Sequence, residues 1–335
     1  MVQSQSTQTP LTQQSSPGSV GAPASALLVA LALGIVYVVW GSTYLAIRIM
    51  VEDLPPLASA SWRFGVAGLL LAVVLALRSG PRRLRVSRPE LAGCALLGLL
   101  LPAMGNGLVS VGEHMGAPSG ITALLIAAVP LWVIVYRIAT GDRPSLRTTG
   151  GVLLGFAGLV GLVTATGLGG DVRWAACLII VAASICWSFG SWSSSRLRLP
   201  KDPFVTTVYE MLAGSLSLSV MALVAGEDLV PRSAPADAWL AWGYLVVFGS
   251  MVAYTAYVWV LQAAPISLVS TYAYVNPVVA VFLGWVVLEE PITASIVVGG
   301  AVVVAAVAVV VSSERTPRTA AEPVCPPPSS PAGSG

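Results

Sequence analysis

Residues 40–64 read WGSTYLAIRIMVEDLPPLASASWRF: the end of one apolar run, a short charged connection and the start of a second run. The outline of this stretch returns 147 residues later, and the same offset aligns further positions in the two halves. The matched pairs are Trp40 and Trp187, Pro56 and Pro203, Met104 and Met251, Pro118 and Pro265, Pro130 and Pro277, and Pro144 and Pro291. Several prolines held in one register predict an internal duplication.

The composition places both copies in a membrane. The chain has 335 residues, of which 56% are hydrophobic and 10% charged, and its mean hydropathy is +0.84. A soluble domain carries roughly 25% charged residues, so this chain has too few to cover a surface in water. Because lipid-exposed backbone must satisfy its own hydrogen bonds, apolar runs of about 20 residues predict membrane-spanning helices.

Ten segments qualify, which predicts an all-α integral membrane protein with ten transmembrane helices. The predicted spans are 24–47, 58–77, 91–111, 119–139, 149–166, 174–194, 204–225, 239–260, 267–288 and 294–311. The first run is longer than the apolar core of a signal peptide, about 7–15 residues, and is interpreted as a retained helix. Residues 1–23 and 313–335 are predicted to be disordered tails.

Lysine and arginine indicate which side faces the cytoplasm. With the N-terminus inside, 13 of the 17 Lys and Arg residues fall in inner connections or in the C-terminal tail. Arg173 and Arg232 lie in outer connections, and Arg48 and Arg63 lie near outer helix ends. The positive-inside rule therefore predicts a multi-pass protein of the plasma or inner cell membrane with both termini in the cytoplasm.

The two halves, 24–166 and 171–312, each contain five predicted spans. Because five is odd, the second half enters the membrane from the opposite side, and the repeats are inverted. Inverted repeats are typical of transporters that alternate between inward-open and outward-open states, with the binding site near the midplane where the halves meet. The pattern therefore indicates secondary transport of a small molecule.

Other classes find little support. The net charge of +2 and the absence of a basic run with interleaved aromatics argue against nucleic acid as a partner. The cysteines have no C-x-x-C spacing and are interpreted as apolar filler. With a single histidine, His114, no metal site or other cofactor is predicted. A membrane enzyme is disfavoured because the chain lacks a G-x-S-x-G elbow and a H-E-x-x-H pair.

Two sets of motifs carry a family resemblance. WGSTY at 40–44, PP at 55–56 and RF at 63–64 resemble the N-terminal signature of EamA-type carriers of the drug/metabolite transporter superfamily, and YVNPV at 274–278 and EEPI at 289–292 support it. The resemblance covers about residues 25–312. It implies a ten-helix exporter of amino acids, related metabolites or drug-like compounds, coupled to protons. Glu289 departs from the family, in which Gly usually precedes Glu-Pro, and we expect an effect on the loop alone.

Two charged residues lie inside predicted helices at positions that the repeat relates, Arg63 and Glu210. A carboxylate in hydrocarbon costs about 2.5–3.5 kcal/mol on insertion scales, so Glu210 should face a cavity or a partner. It is interpreted as a proton-coupling or cation-binding group; the alternative is an ion pair or a partly hydrated group near Lys201. Arg63 is interpreted as an attractor of anions or as a structural residue that contacts headgroups or pairs with Glu52 or Asp53.

Tyr37, Trp40, Tyr44 and Arg48 share one helical face, with spacings of three, four and four. Amphipathic aromatics on one face suit the lining of a cavity for flat or cationic ligands. The alternative is an aromatic belt at the membrane surface, for which Trp40 is too deep. Trp187 takes the same interpretation through the repeat.

The third span carries Asn106, Ser110 and Glu113 on one face, followed by His114. Asn106 is predicted either to bond across helices or to contact substrate. Glu113 and His114 lie at the outer end of the span and are interpreted as a solvated loop edge.

In the second half, Tyr254, Tyr257, Tyr272 and Asn276 bracket the link between the eighth and ninth spans and are candidate substrate-binding residues. Asn276 precedes Pro277, and this pair is expected to break its helix inside the membrane, freeing carbonyl groups for a ligand. A kink that serves packing alone is the alternative.

A passive facilitator or channel of the same fold is the alternative to active transport. The expected partners are a small-molecule substrate, the lipid bilayer and protons as the coupling ion. The sequence leaves open the substrate, the direction of transport, and whether the chain is a monomer or a homodimer.

Overall fold

The computed structural model describes residues 26–167, 174–230 and 233–315, which form helices joined by short connections, without strands. The first half contains α1 (Ala26–Asp53), α2 (Pro56–Ser79), α3 (Arg88–His114), α4 (Ser119–Ala139) and α5 (Leu146–Gly167). The second half contains α6 (Trp174–Ser194), α7 (Pro203–Val224), α8 (Ala236–Ala263), α9 (Tyr272–Leu288) and α10 (Ala294–Arg315). The tail predicted at 1–23, most of that at 313–335, and Arg173 and Arg232 lie outside the described residues.

Eight of these helices are long and apolar enough to cross a membrane. The other two, α5 and α9, contain the shorter apolar stretches Leu146–Gly161 and Val275–Leu288. The predicted all-α class is therefore confirmed for the described part of the chain. Helix α1 continues beyond its predicted end at residue 47, so that Glu52 and Asp53 lie in its last turn rather than in a loop.

Helices of one repeat pack mainly against helices of the other. Helix α2 lies along α7 and α5 lies along α10, so each of these pairs joins two equivalent helices of the duplication. The contact of α1 with α9 has its repeat-related counterpart in the contact of α6 with α4. The core of the molecule therefore lies between the two repeats rather than within either one.

Helices α3 and α8 each contain a π-helical segment, Leu99–Gly107 and Leu245–Tyr254. The two segments occupy equivalent positions in the repeats. Pro102 lies inside the first segment, where it lacks the N–H that a regular helix would use. Such widened turns are rare and are often found at functional sites.

A close crossing of α3 and α7 depends on two glycines. A Cβ atom on Gly98 would lie 2.5 Å from the carbonyl oxygen of Glu210, and one on Gly214 would lie 2.6 Å from Cβ of Pro102. Neither position leaves room for a side chain. The crossing fixes the turn of α7 that carries Glu210 against α3.

Each repeat has an interrupted helix in the corresponding place. Helix α4 is interrupted at residues 127–128, and a single turn, Ile266–Val269, precedes α9. The prediction that Asn276 and Pro277 break their helix is wrong, because α9 runs through both residues. Pro277 lies near the start of α9, where one carbonyl, that of Ala273, loses its helical donor, and the helix tolerates the loss.

Two glutamates bind helix N-termini of the first repeat at one end of the bundle. Glu290 accepts hydrogen bonds from Ser119 N at 2.8 Å, Ser119 Oγ at 2.9 Å and Gly120 N at 3.4 Å, at the start of α4. Glu227 accepts bonds of 2.8 and 3.0 Å from two backbone N–H groups at the start of α2. Helix N-termini carry unpaired N–H groups and partial positive charge, which carboxylates stabilise. We call this end, which the charge distribution predicts to face out of the cell, the outer end.

Replacing Glu290 by alanine is expected to lower the free energy of unfolding by about 1–2 kcal/mol, because Ser119 and Gly120 lose a charged acceptor at a helix N-terminus. The measurement is SDS-induced unfolding of the purified protein in detergent micelles, followed by tryptophan fluorescence.

Glu289→Ala is the matched control. Glu289 ends α9 in the left-handed conformation, with φ 54, which glycine adopts without strain. Its side chain makes no hydrogen bond to the residues that the structure describes, so we expect little change. An equal loss of stability in both variants would contradict the role given to Glu290.

Candidate functional site

Five aromatic side chains that the sequence singled out meet in the core. The ring centroid of Trp40 lies 5.3 Å from that of Trp187, 4.7 Å from Tyr257 and 5.6 Å from Tyr272. Tyr254 joins them 6.3 Å from Trp187. The cluster draws on α1, α6, α8 and α9, and therefore on both repeats.

The polar atoms of the cluster are mostly satisfied within it. Trp40 Nε1 donates to the carbonyl of Gly249 at 3.3 Å, and Trp187 Nε1 donates to the hydroxyl of Tyr257 at 3.2 Å. That hydroxyl also lies 2.6 Å from Ser191 Oγ. The buried hydroxyl of Tyr272 lies near these groups without a well-formed hydrogen bond among the described residues. It therefore retains a free donor and acceptor beside the cavity described next.

A cavity of about 40 Å³ lies against the cluster. It is lined by Trp40, Thr43, Tyr44, Ile47, Gly105, Asn106, Val109, Ile126, Trp187 and Tyr272. Pockets that enclose a drug-sized ligand have volumes of about 300–1,000 Å³, so this central cavity has room for no more than a few waters. A metabolite requires the surrounding helices to move apart.

Half of this lining was predicted. Trp40, Tyr44, Asn106, Trp187 and Tyr272 were candidate residues, whereas the apolar and small members of the lining were not. Their position on the helix, rather than their residue type, could have identified these lining residues. Thr43 lies three residues after Trp40 and shares its helical face.

Arg63 is buried beside the central cavity, with 2% of its surface exposed. Its Nε donates to Ser250 Oγ at 2.8 Å, and its Nη1 donates to Asn106 Oδ1 at 3.0 Å. The alternatives of headgroup contact and of pairing with Glu52 or Asp53 are both wrong, since the side chain points into the bundle. Asn106 bonds across helices, as one of its two predicted roles requires, and it also lines the cavity, while contact with a substrate stays a prediction.

Glu210 lies on the other side of the cluster and is 1% exposed, without an ion pair among the described residues, so the alternative of an ion pair is wrong. Partial hydration near Lys201 stays a prediction. Oε2 of Glu210 accepts a hydrogen bond of 2.8 Å from the hydroxyl of Tyr254. The ring of Tyr254 contacts the rings of Phe64 and Trp187. Glu210 also borders a second cavity of about 270 Å³, which we call the inner cavity because Leu197, Leu199 and Pro200 of the predicted inner connection line it. The carboxyl group thus lies between this cavity and the aromatic cluster.

Glu113 is the clearest error of the sequence interpretation. The residue lies in the last turn of α3, but it is 0% exposed, and neither carboxyl oxygen has a hydrogen-bond partner among the described residues. The neighbouring His114 places Nδ1 2.7 Å from the carbonyl of Val51. Contacts with α1 and the start of α4 bury this edge, and such contacts leave no trace in local sequence.

Tyr37 and Asn276 lie outside the central cavity. The hydroxyl of Tyr37 bonds to Thr271 Oγ1, at the start of α9. With its side-chain amide oriented to donate, the nitrogen of Asn276 lies 3.1 Å from the carbonyl oxygen of Tyr37 and 3.3 Å from that of Tyr272. Both residues therefore join α1 to α9.

Comparisons with known proteins agree with this architecture. A family model described as "EamA-like transporter family" matches the chain twice, over residues 26–164 and 174–312. The chain is 43% identical over 253 residues to the uncharacterized inner membrane transporter YedA of Escherichia coli (strain K12), covering 76% of this chain and 80% of that protein. It is 25% identical over 257 residues to the uncharacterized transporter YyaM of Bacillus subtilis (strain 168), covering 74% and 82%.

A crystal structure of another protein superposes with a TM-score of 0.61 at 20% identity, covering 84% of this chain and 95% of that one, and shows that the fold is shared. The two family matches fall one on each repeat, and together they span almost all the described helices. They confirm the resemblance carried by the motifs at 40–64 and 274–292. This membrane protein of two repeats belongs to the EamA-like transporter family.

Proposed function

We propose that the protein is a secondary active transporter that moves a small molecule by alternating access between its two repeats. The observation that carries the proposal is the contact between Trp40 and Trp187, equivalent residues of the duplication whose rings lie 5.3 Å apart beside the central cavity. A site between equivalent elements can be opened by the movement of either half. The small volume of the central cavity supports an occluded state, in which neither half has yet moved to open the site.

The proposed topology has ten membrane spans in two inverted repeats of five. The distribution of Lys and Arg supports cytoplasmic termini. The E. coli relative is named an inner membrane transporter, which supports the inner membrane as the location of this multi-pass chain. In this orientation, Glu210 lies between the cytoplasmic side and the central cavity.

The lining of the central cavity supports an amphipathic substrate. Trp40, Tyr44 and Trp187 offer ring faces for a flat or cationic group, while Asn106 offers a polar contact backed by Arg63. Amino acids, related small metabolites and drug-like compounds fit this description. Export is the direction that the family resemblance implies.

We assign proton coupling to Glu210. Inside a helix bundle of low dielectric, a carboxylate is much less stable than the neutral carboxylic acid. The protonation of such a group can therefore select between conformations that bury it and conformations that hydrate it. Among the described residues Glu210 has one hydrogen bond, from Tyr254, and the inner cavity is its route to water. Tyr254 connects the carboxyl group to Trp187, and thus to the substrate site.

The test is uptake of a panel of amino acids and amphipathic metabolites into inside-out membrane vesicles, with and without an acidic interior. We expect saturable uptake of at least one compound, increased by the gradient. Saturable uptake that is independent of the pH gradient would indicate a passive facilitator of the same fold. The absence of saturable uptake across the panel would contradict the transporter proposal.

A further inference from the structure

The central cavity is closed toward the outer end by one layer of side chains. Tyr44 of α1, Val109 of α3 and Ile126 of α4 line the cavity. One helical turn farther out, the same three helix faces carry the outer wall, as we call it: Arg48, Glu113 and Thr122. Glu113 therefore lies directly between the substrate site and the outer surface.

Within the outer wall, the carboxyl group of Glu113 is enclosed and has no well-formed hydrogen bond to the part of the chain that the structure describes. Arg48 Nη1 donates to the backbone carbonyl of Glu113 at 2.6 Å, and its Nη2 lies 3.5 Å from the carboxylate of Glu52. Thr122 Oγ1 donates to the carbonyl of Pro118 at 3.0 Å and makes no well-formed hydrogen bond to either carboxyl oxygen of Glu113. This environment suits a carboxylic acid, whose O–H can donate, and not a carboxylate.

The charged surroundings compensate only in part for an ionised Glu113, through the cation Arg48. The titratable groups that face it are Tyr44 and Arg48 from α1 and Glu290 from the connection after α9. Glu290 is itself engaged at the start of α4 and repels a second carboxylate. Helix α6 meets this part of α3 through Ala176 and Ile180, which carry no charge. Burial would strongly destabilise an ionised carboxylate here.

We propose that Glu113 is a second proton-binding site, and that the outer wall closes only when this carboxyl group carries a proton. When the wall opens, water reaches the group, the proton leaves to the outer solution, and the carboxylate stays hydrated; reclosure requires a proton to return from the same side. The inference rests on the proposed alternating access. It adds to Glu210 a site at the opposite end of the cavity.

The test measures access to the cavity from outside, without any substrate. Ile126→Cys places a thiol in the cavity lining, and a membrane-impermeant maleimide is added to intact cells at about pH 6 and about pH 8. The rate of labelling is corrected for the native cysteines with the parent chain. It is then divided by the rate at Asp53→Cys, an exposed position, which removes the intrinsic pH dependence of the reagent. We expect a corrected rate at least about fivefold higher at pH 8.

Glu113→Gln removes the acid while keeping its shape, and is expected to give slow labelling at both pH values. Glu52→Gln, at an exposed carboxylate of the same end, is expected to retain the response. Glu113→Asp is expected to restore a pH response, which guards against a variant that merely misfolds. A Glu113→Gln chain with the unchanged pH response, or no pH response in the Glu113 chain, would overturn the proposal. Because no substrate is involved, failure here is distinct from failure of the flux assay.

Discussion

Replacing Glu210 by glutamine is expected to abolish accumulation driven by a pH gradient. A gradient of about two pH units is worth about 2.7 kcal/mol per proton, enough for roughly 100-fold accumulation of substrate in inside-out vesicles. Glutamine cannot exchange a proton, so the variant should only equilibrate its substrate. Glutamine still accepts the hydrogen bond from Tyr254, 2.8 Å long in the structure, and the fold should therefore be kept.

Tyr254→Phe is the companion variant. It removes the hydrogen-bond donor but leaves the carboxyl group of Glu210, so gradient-driven accumulation should persist with a shifted dependence on pH. The readout for both variants is the ratio of internal to external labelled substrate at steady state. Full gradient-driven accumulation by Glu210→Gln would overturn the assignment of proton coupling to this carboxyl group.

Gly98→Val is expected to be the most damaging substitution for stability, lowering the free energy of unfolding by at least about 3 kcal/mol. The first side-chain atom would lie 2.5 Å from the carbonyl oxygen of Glu210, 2.8 Å from Cβ of Ala213 and 2.9 Å from the backbone nitrogen of Gly214. Two of these three atoms belong to the backbone, so no rotamer change relieves the clash. Helix α3 would have to move away from α7.

The matched control is Gly34→Val, because an added Cβ there meets nothing within 4 Å. Both variants are compared by the yield of membrane-inserted protein and by SDS-induced unfolding in micelles. We expect Gly34→Val to change the free energy of unfolding by less than about 1 kcal/mol. Similar losses in the two variants would show that the crossing of α3 and α7 is not a tight constraint.

Helix positions and the duplication could be read from the sequence, because lipid imposes long apolar runs and because the repeat preserves its prolines. The aromatic residues of the site could be predicted from the sequence for a related reason. Trp40 and Tyr44 share a helical face by spacing alone, and the offset of 147 residues then identifies Trp187. That the rings of Trp40 and Trp187 meet in the core was found only in the structure.

What the sequence did not predict depends on packing between segments far apart in the chain. Glu113 lies near a helix end beside His114, and local pattern alone made it a surface residue. Its burial depends on neighbouring helices and on the carboxylate of Glu290, which holds the start of α4. Likewise, a side chain as long as that of Arg63 reaches its partners Asn106 and Ser250 by a path that no spacing rule encodes.

The π-helical segments of α3 and α8 indicate the order in which the widened turn and the gene duplication arose. They end at Gly107 and Tyr254, which are equivalent positions, and so rare a distortion is more simply inherited once than acquired twice. The ancestral half-size chain therefore already had this widened turn before its gene was duplicated. Glu113 has Val260 as its counterpart and Glu210 has Arg63, so each carboxyl group arose in, or survived in, only one descendant copy.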